Sequence, residues 1–179
     1  IESRCSEISF GCLYTIADDV LYKMDMNKGT KKELATGLNE DQYVASEDGH
    51  LVAYEKEDPS KSKSVTVMNL ETDQEYEVTC KDGECIKPLG FMDGDFVYGV
   101  AKTEEVGTTL SGAQVIPMYK VEITSSKDKV IKTYEQSGIY MLSATFEDNM
   151  ITLDRAVKDG DTYTGTAQDY ITSSEEAKE

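Results

Sequence analysis

The side chains best suited to chemistry in this chain are four cysteines, which fall into two local pairs: Cys5 with Cys12, and Cys80 with Cys85. The segment CKDGEC at 80–85 puts a short turn between two strand-like stretches, and residues that face each other across a hairpin lie close enough for a disulfide. The even count and local pairing therefore predict two disulfides and an oxidising compartment. Free buried thiols and a zinc site are the alternatives. Zinc is disfavoured because the gaps within the pairs are six and four residues, whereas structural zinc usually takes two-residue gaps.

His50 is the only histidine, and it follows Asp48 and Gly49 at a predicted hairpin corner. A histidine acting as general base needs a nucleophile and an orienting carboxylate, and the sequence around His50 indicates neither. The 35 acidic residues make some pair of carboxylates at glycosidase spacing inevitable, so such a pair is uninformative. We therefore predict no catalytic residue and no cofactor, and we expect that the chain is not an enzyme.

Two DGD segments, at 93–95 and 159–161, offer carboxylate oxygens of the kind that calcium prefers. An EF-hand loop continues with further ligands at fixed offsets and ends in a bidentate glutamate, and neither segment does so. We interpret both as hairpin turns, with calcium as the alternative, and predict no metal site.

The charge of the chain limits its partners. It carries 35 acidic and 18 basic residues, a net charge of −17, and its only arginines are Arg4 and Arg155. Phosphate-bearing partners require clustered Lys and Arg, so nucleic acid and anionic lipid are excluded as principal partners. The acidity predicts a solvated surface, with a cationic or calcium-dependent partner as the alternative. No apolar stretch reaches about 18 residues, so no transmembrane segment is predicted. Because the chain opens on Ile1 without a leader, we interpret it as a mature or excised part of an exported protein.

A predicted unit of strand, acidic turn and strand occurs three times, at 42–57, 87–102 and 140–157. The residues at these turns are Asp48 and Gly49, Asp93 and Gly94, and Asp148 and Asn149. A second hairpin occurs at 21–34, 65–78 and 118–131. Alternation of two hairpins with a period of roughly 45 residues is typical of β-propeller blades.

The predicted fold is all-β, made of antiparallel propeller-type blades. About fourteen strands would make three to four four-stranded blades, beginning with a half-blade, in an incomplete ring or a fragment of a larger propeller. We expect a segment of uncertain structure at 1–10, the repeat domain at 11–172 and a tail or linker at 173–179. The connection at 103–114 is interpreted as a flexible insertion or a contact loop.

The segment at 44–54, followed by 65–72, resembles the TolB-like (WD40-like) β-propeller repeat. That repeat has a Ser-Pro-Asp-Gly turn between two strands and then a strand ending in an Asp-Leu-x-Thr-Gly turn. Glu47 replaces the proline and Asp73 replaces the final glycine, while 21–29 fits the second motif better. The resemblance covers about residues 11–157 and implies a propeller fold. It also implies a secreted or envelope-anchored bacterial protein, because similar segments occur in such proteins of Gram-positive gut bacteria.

From these observations we predict a non-catalytic binding or scaffolding module of an exported bacterial cell-envelope protein, located at or outside the cell surface. Its ligand would be a protein or a glycan, and an open blade edge would meet a second copy or another part of the same protein. Two other functions stay open: an accessory or gating propeller of a hydrolase whose catalytic part lies elsewhere, and a sensor ectodomain.

Overall fold

The computed structural model describes residues 6–9, 12–126 and 129–172, and side chains from residue 13 onward. Most of these residues lie in strands, which pair antiparallel at all but one contact, because apolar residues alternate or occur in short blocks between turn residues. The helical structure in these ranges is one 3₁₀ turn at Thr103–Glu105. No helix in them is long and apolar enough to cross a membrane.

Two four-stranded sheets come first, and each strand pairs with the next one in the chain. The first sheet, blade 1, contains β1 (Ser6–Ser9), β2 (Cys12–Ala17), β3 (Val20–Asp25) and β4 (Thr30–Ala35). The second sheet, blade 2, contains β5 (Tyr43–Ala45), β6 (Leu51–Tyr54), β7 (Ser64–Asn69) and β8 (Glu75–Thr79).

The third sheet has nine strands and combines two blades with an inserted hairpin. Blade 3 contains β9 (Glu84–Met92), β10 (Asp95–Lys102), β13 (Met118–Ser126) and β14 (Lys129–Glu135). Blade 4 contains β15 (Tyr140–Glu147), β16 (Met150–Asp159) and β17 (Thr162–Thr172). The hairpin is formed by β11 (Gly107–Thr108) and β12 (Gln114–Val115). Blades 3 and 4 join where Met118 pairs with Met141, and the hairpin joins blade 4 where Thr108 pairs with Thr162.

The blades pack face to face, as in a propeller. One cluster joins blades 1 and 2 and includes Tyr14, Leu21, Leu38, Val52 and Leu70. The next joins blades 2 and 3 and includes Ala53, Val65, Val67, Phe96 and Tyr98. The third joins blades 3 and 4 and includes Val97, Met118, Met141, Ile151 and Leu153. The core therefore lies between sheets, so each blade is stabilised by its neighbours.

The predicted repeats are confirmed as blade hairpins. The three strand–turn–strand units are β5–β6, β9–β10 and β15–β16, and the second hairpins are β3–β4, β7–β8 and β13–β14. The strand count differs from the prediction: blade 1 has four strands instead of a half-blade, because Ser6–Ser9 pairs with β2. That strand lies inside the segment whose structure was uncertain, and the predicted tail at 173–179 lies outside the described residues.

The structure corrects the hairpin interpretation of Cys80 and Cys85, which are free thiols in it. Cys80 follows β8 of blade 2, whereas Cys85 lies in β9 of blade 3, opposite Ala101. The segment between them connects two blades, so the two cysteines do not face each other across a hairpin. Cys5 and the side chain of Cys12 lie outside the described residues, and their pairing stays a prediction.

Candidate functional site

The repeat turns of blades 2, 3 and 4 lie side by side and border two adjoining depressions. Three segments line these depressions: 44–48, 89–94 and 146–149. We call this concave surface the turn cleft. All the predicted repeat-turn residues except Gly49 belong to its lining, so residues that are up to about a hundred positions apart in the sequence share one surface.

The turns have local causes. Asp93 and Gly94 both have positive φ, 52° and 81°, which is the conformation that a two-residue hairpin turn requires and that an Asp-Gly pair adopts readily. Asp148 has φ 46° in the corresponding turn of blade 4. The carboxylates of Asp93 and Asp148 thereby belong to the lining of the cleft, beside residues from the ends of β9 and β15.

The turn of blade 2 is longer and is held by Asp48. The Asp48 carboxylate accepts hydrogen bonds from the Ser46 hydroxyl (2.6 Å) and from the His50 backbone N–H (3.0 Å). These two hydrogen bonds lower the pKa of Asp48 below its ordinary value. The carboxylate is therefore a fixed negative charge at neutral pH.

The floor of the cleft is aromatic. Phe91 and Phe146 are half-buried, and Phe91 also packs against Phe96 with 5.5 Å between ring centroids. Gly90 makes the close approach of blades 3 and 4 possible, because a Cβ at this position would lie 2.7 Å from the Phe146 ring. The two rings are thus fixed by packing and still reach the cleft.

The charged residues of the lining are all acidic: Glu47, Asp48, Asp93, Glu147 and Asp148. No Lys, Arg or His belongs to the lining. Carboxylates around half-exposed aromatic rings attract cations, both through the summed negative potential and through the ring faces. The chemistry of this lining therefore suits ammonium or guanidinium groups.

Asp95 follows the turn of blade 3 and does not belong to the cleft lining. Burial raises the pKa of its carboxyl, and the neighbouring charge of Asp93 raises it further. The charge of Lys129 acts in the opposite direction and lowers the pKa of Asp95.

A buried acid lies elsewhere, at the junction of blades 2 and 3. Glu55 is 1% exposed, and neither of its carboxyl oxygens has a hydrogen-bond partner among the described residues. The nearby Ser62 hydroxyl donates to the Ser64 carbonyl (2.9 Å) instead. Burial raises the pKa of Glu55 to about 8, so the folded protein holds this carboxyl as a neutral acid at pH 7.

The residues considered for catalysis and for calcium are placed at turns. The Nδ1 atom of His50 lies 3.1 Å from Glu71 Oε1, outside the cleft lining. At 159–161, the Asp159 carbonyl accepts a hydrogen bond from the Thr162 hydroxyl (2.9 Å), which closes the β16–β17 turn. Across the ranges that the structure covers, no three His, Cys, Asp or Glu side chains are grouped to hold a metal ion.

The connection at 103–114 is a contact loop within the chain. The Tyr163 hydroxyl donates to the Glu105 carbonyl (2.5 Å), and the Tyr140 hydroxyl donates to the Glu105 carboxylate (3.1 Å). Gly107 approaches so closely that a Cβ there would lie 2.9 Å from the Asp161 carbonyl oxygen. The loop of blade 3 is thereby fixed on blade 4, through residues that are distant in the sequence.

No protein-family model matches the chain, and no curated protein matches it. Among solved structures, it is similar to one described as YCF48 bound to D1 peptide, with 8% identity, a TM-score of 0.46, and coverage of 89% of this chain and 50% of that one. It is also similar to U3-55K, with 12% identity, a TM-score of 0.45, and coverage of 92% and 51%. A third is the β-propeller domain of the Trilobed protease from Pyrococcus furiosus, with 13% identity, a TM-score of 0.43, and coverage of 92% and 57%. The chain thus spans about half of the length of these structures.

Proposed function

We propose that this chain is a non-catalytic binding module that takes up a cationic segment of a partner protein in the turn cleft. The observation that carries the proposal is the composition of the cleft: three repeat turns bring five carboxylates and two phenylalanine rings to one concave surface whose lining has no basic residue. The fold supplies the rigid platform, because the walls of the cleft belong to three blades packed face to face.

The energetics favour lysine or arginine side chains as the bound groups. A cation over an aromatic face contributes roughly 0.5–2 kcal/mol, more where water is excluded. The surrounding carboxylates attract the partner over a distance of about a Debye length, 8–10 Å, and this attraction weakens as salt is added. Binding through the cleft should therefore be selective for basic peptides and sensitive to ionic strength.

We further propose that the module works outside the cytoplasm, in a bacterial cell-envelope protein. The resemblance of residues 44–54 and 65–72 to propeller repeats of such proteins supports this location. Limited proteolysis of intact cells that express the full protein tests it: cleavage of the domain without lysis supports exposure at the surface, and complete protection until lysis argues against it.

A peptide titration tests the binding proposal. Two labelled peptides of equal length, one rich in lysine and arginine and one rich in glutamate, are titrated by fluorescence anisotropy against the wild type and against the triple variant D48N/D93N/D148N. We expect binding of the basic peptide only, with roughly tenfold to hundredfold weaker affinity in the triple variant, because each lost charge contributes about 0.5–1 kcal/mol.

The matched control is D159N/D161N, which removes acidic groups from a turn outside the cleft. It should bind the basic peptide nearly as tightly as the wild type does. Weakening in proportion to the number of carboxylates removed, three in the test variant and two in the control, would show that net charge, and not the turn cleft, attracts the peptide. Failure of the wild type to bind the basic peptide at low salt would contradict the proposal.

A further inference from the structure

Buried polar side chains are concentrated at the junction of blades 2 and 3. Of the six buried polar or charged residues in the part of the chain that the structure describes, four lie between positions 42 and 62: Gln42, Glu55, Ser60 and Ser62. Glu55 is the one carboxylic acid among the six. Buried polar groups are nearly always hydrogen-bonded, so the unpaired carboxyl of Glu55 marks this junction as unusual.

The loop at 55–63 connects β6 with β7 and contacts blade 3. It is folded on itself: the Ser62 backbone N–H donates to the Asp58 carbonyl (2.9 Å), and the Asp58 carboxylate accepts a hydrogen bond from the Ser60 N–H (2.9 Å). The Ser62 carbonyl accepts a hydrogen bond from the Ile86 N–H on β9 (2.9 Å), which attaches the loop to blade 3. The loop therefore keeps internal hydrogen bonds of its own in addition to this attachment.

Two side-chain donors lie beside Glu55, and both donate elsewhere. The Ser62 hydroxyl donates to the Ser64 carbonyl (2.9 Å). The side-chain amide of Gln42 donates to the backbone carbonyls of Glu57 (3.0 Å) and Glu55 (3.4 Å). A carboxylate at this position would thus be buried without the hydrogen bonds that stabilise a charge, which is strongly unfavourable.

The neighbouring charges do not compensate for this burial. The titratable and charged groups that face Glu55 are Asp41 before β5, Asp58 in the loop, Cys80 after β8, and Cys85 and Lys87 on β9. The two aspartates oppose ionisation of the carboxyl, and the lysine favours it. Burial raises the pKa of both thiols, so neither is charged near pH 7. Burial is also the largest influence on the pKa of Glu55, which rises to about 8 although the nearby Ser62 hydroxyl lowers it.

We propose that the loop at 55–63 is a pH-dependent latch, which stays closed on blade 3 while Glu55 is protonated and is released when Glu55 ionises. In the released loop water hydrates the carboxylate, so its pKa returns toward the ordinary value of 4.5. Below pH 4.5 the closed state has its full stability, and each further pH unit up to about 8 favours opening about tenfold. The junction is therefore tightest in acid and loosens as the pH rises.

Release of the loop is a smaller change than separation of the blades. The apolar cluster that joins blades 2 and 3 includes Val67, Phe96 and Tyr98 and contains no residue of the loop. The blades can thus stay packed while the loop moves. Local opening of such a segment takes less free energy than unfolding of the whole domain.

Amide hydrogen exchange of the complete chain, resolved by ¹⁵N NMR from pH 5 to 8, tests the proposal. The reporter is the Ile86 N–H, whose hydrogen bond to the Ser62 carbonyl crosses the junction. Its exchange rate in the wild type is divided by its rate in Glu55→Gln, which cannot ionise, so that the intrinsic pH dependence of exchange cancels. We expect this ratio to rise about tenfold per pH unit.

Two control variants and a denaturant series accompany this measurement. Glu55→Met, which also cannot ionise, should behave like Glu55→Gln, and Glu57→Gln, at an exposed residue of the same loop, should keep the wild-type pH dependence. Low concentrations of urea distinguish release of the loop from unfolding. The exchange rate of Ile86 should change little with urea, because local opening exposes little surface, whereas the rates of the β16 amides in blade 4 should increase.

Two results would overturn the proposal. The same pH dependence of Ile86 exchange in the wild type and in both non-ionising variants would mean that Glu55 does not control the junction. The same urea dependence for Ile86 as for the β16 amides would mean that this hydrogen bond breaks only when the whole domain unfolds. Neither measurement involves a cationic peptide, so the outcome is independent of the function proposed for the turn cleft.

Discussion

The ring of Phe146 on β15 lies over the backbone of Gly90 on β9, so closely that a Cβ on residue 90 would come within 2.7 Å of the ring. This approach lets the first strands of blades 3 and 4 meet and places an aromatic floor between two acidic turns. The shape of the turn cleft thus depends on the absence of a side chain at one position.

Gly90→Ala should lower the free energy of unfolding by about 1–3 kcal/mol, because the added methyl group must displace the ring or the strand. Urea unfolding monitored by circular dichroism measures the change. Gly165→Ala is the matched control, since it adds a methyl group to another strand glycine with no atom within 4 Å, and its effect should stay within about 0.5 kcal/mol. Equal changes in the free energy of unfolding for the two variants would mean that the Phe146 ring moves aside without destabilising the fold.

Glu55→Gln should change how stability depends on pH. In the unfolded chain the carboxyl titrates at its ordinary pKa of 4.5, whereas in the folded protein it keeps its proton until about pH 8. The stabilisation from the neutral acid is therefore fully present below pH 4.5 and is lost as the pH rises toward 8.

The variant, which cannot ionise, should be as stable as the wild type or slightly less stable near pH 4 and more stable at pH 8, by roughly 1–4 kcal/mol. Urea unfolding at a series of pH values measures the difference. Glu57→Gln, at the exposed residue two positions later, is the control and should leave the pH profile unchanged. A pH-independent difference between Glu55→Gln and the wild type would show that folding does not raise the pKa of Glu55.

The hairpin repeats could be predicted because their causes are local. Turn residues such as Asp93 and Gly94 and the alternation of apolar residues on either side determine β9–β10 without help from the rest of the chain. The same reasoning left β1 undetected, because four residues carry too little alternation. The segment that contains Cys80 and Cys85 could not be distinguished from a hairpin by its sequence. A short turn between two strands has the same sequence pattern whether the strands belong to one sheet or, like β8 and β9, to two.

The cleft and the fixed loop could not be predicted, because nonlocal contacts form them. Phe146 and Gly90 are unremarkable in their own strands and become a floor only when blades 3 and 4 pack. Likewise, nothing near Glu105 indicates that Tyr163 will bind its carbonyl. The turn residues of the site can be recognised in the sequence as residues that favour tight turns. The sequence does not show that the three turns lie together, because their convergence depends on how the blades pack.

Tyr134→Phe should weaken the junction of blades 3 and 4. Its hydroxyl on β14 donates to Asp169 on β17 (2.6 Å) and accepts a hydrogen bond from Arg155 (3.2 Å). Loss of the hydroxyl leaves both charged groups less well paired and should reduce the free energy of unfolding by about 1–2 kcal/mol. Thermal unfolding of the variant is compared with that of Tyr170→Phe, which removes the hydroxyl of an exposed tyrosine on β17, next to Asp169. A thermal midpoint equal to that of Tyr170→Phe would argue against a stabilising contact of Tyr134 between blades 3 and 4.

The two described thiols should react at different rates. Burial raises the pKa of Cys85 to about 11 and also raises that of Cys80, so both are poor nucleophiles at pH 7.5. Cys80 is half-buried and Cys85 is buried. We expect iodoacetamide to label Cys80 slowly in the folded protein and Cys85 only after unfolding, as resolved by peptide mass spectrometry. Recovery of a peptide pair linked through Cys80 and Cys85 from unreduced protein would contradict this assignment.

Binding of cations in the turn cleft can be observed residue by residue through amide chemical shifts. ¹⁵N-labelled protein is titrated with the lysine- and arginine-rich peptide at low salt, and the glutamate-rich peptide serves as the reference. We expect saturable shifts that concentrate at residues 44–48, 89–94 and 146–149 and diminish as salt is added. Shifts that are scattered over the acidic surface, or that centre on another part of the chain, would contradict binding of cations in the turn cleft.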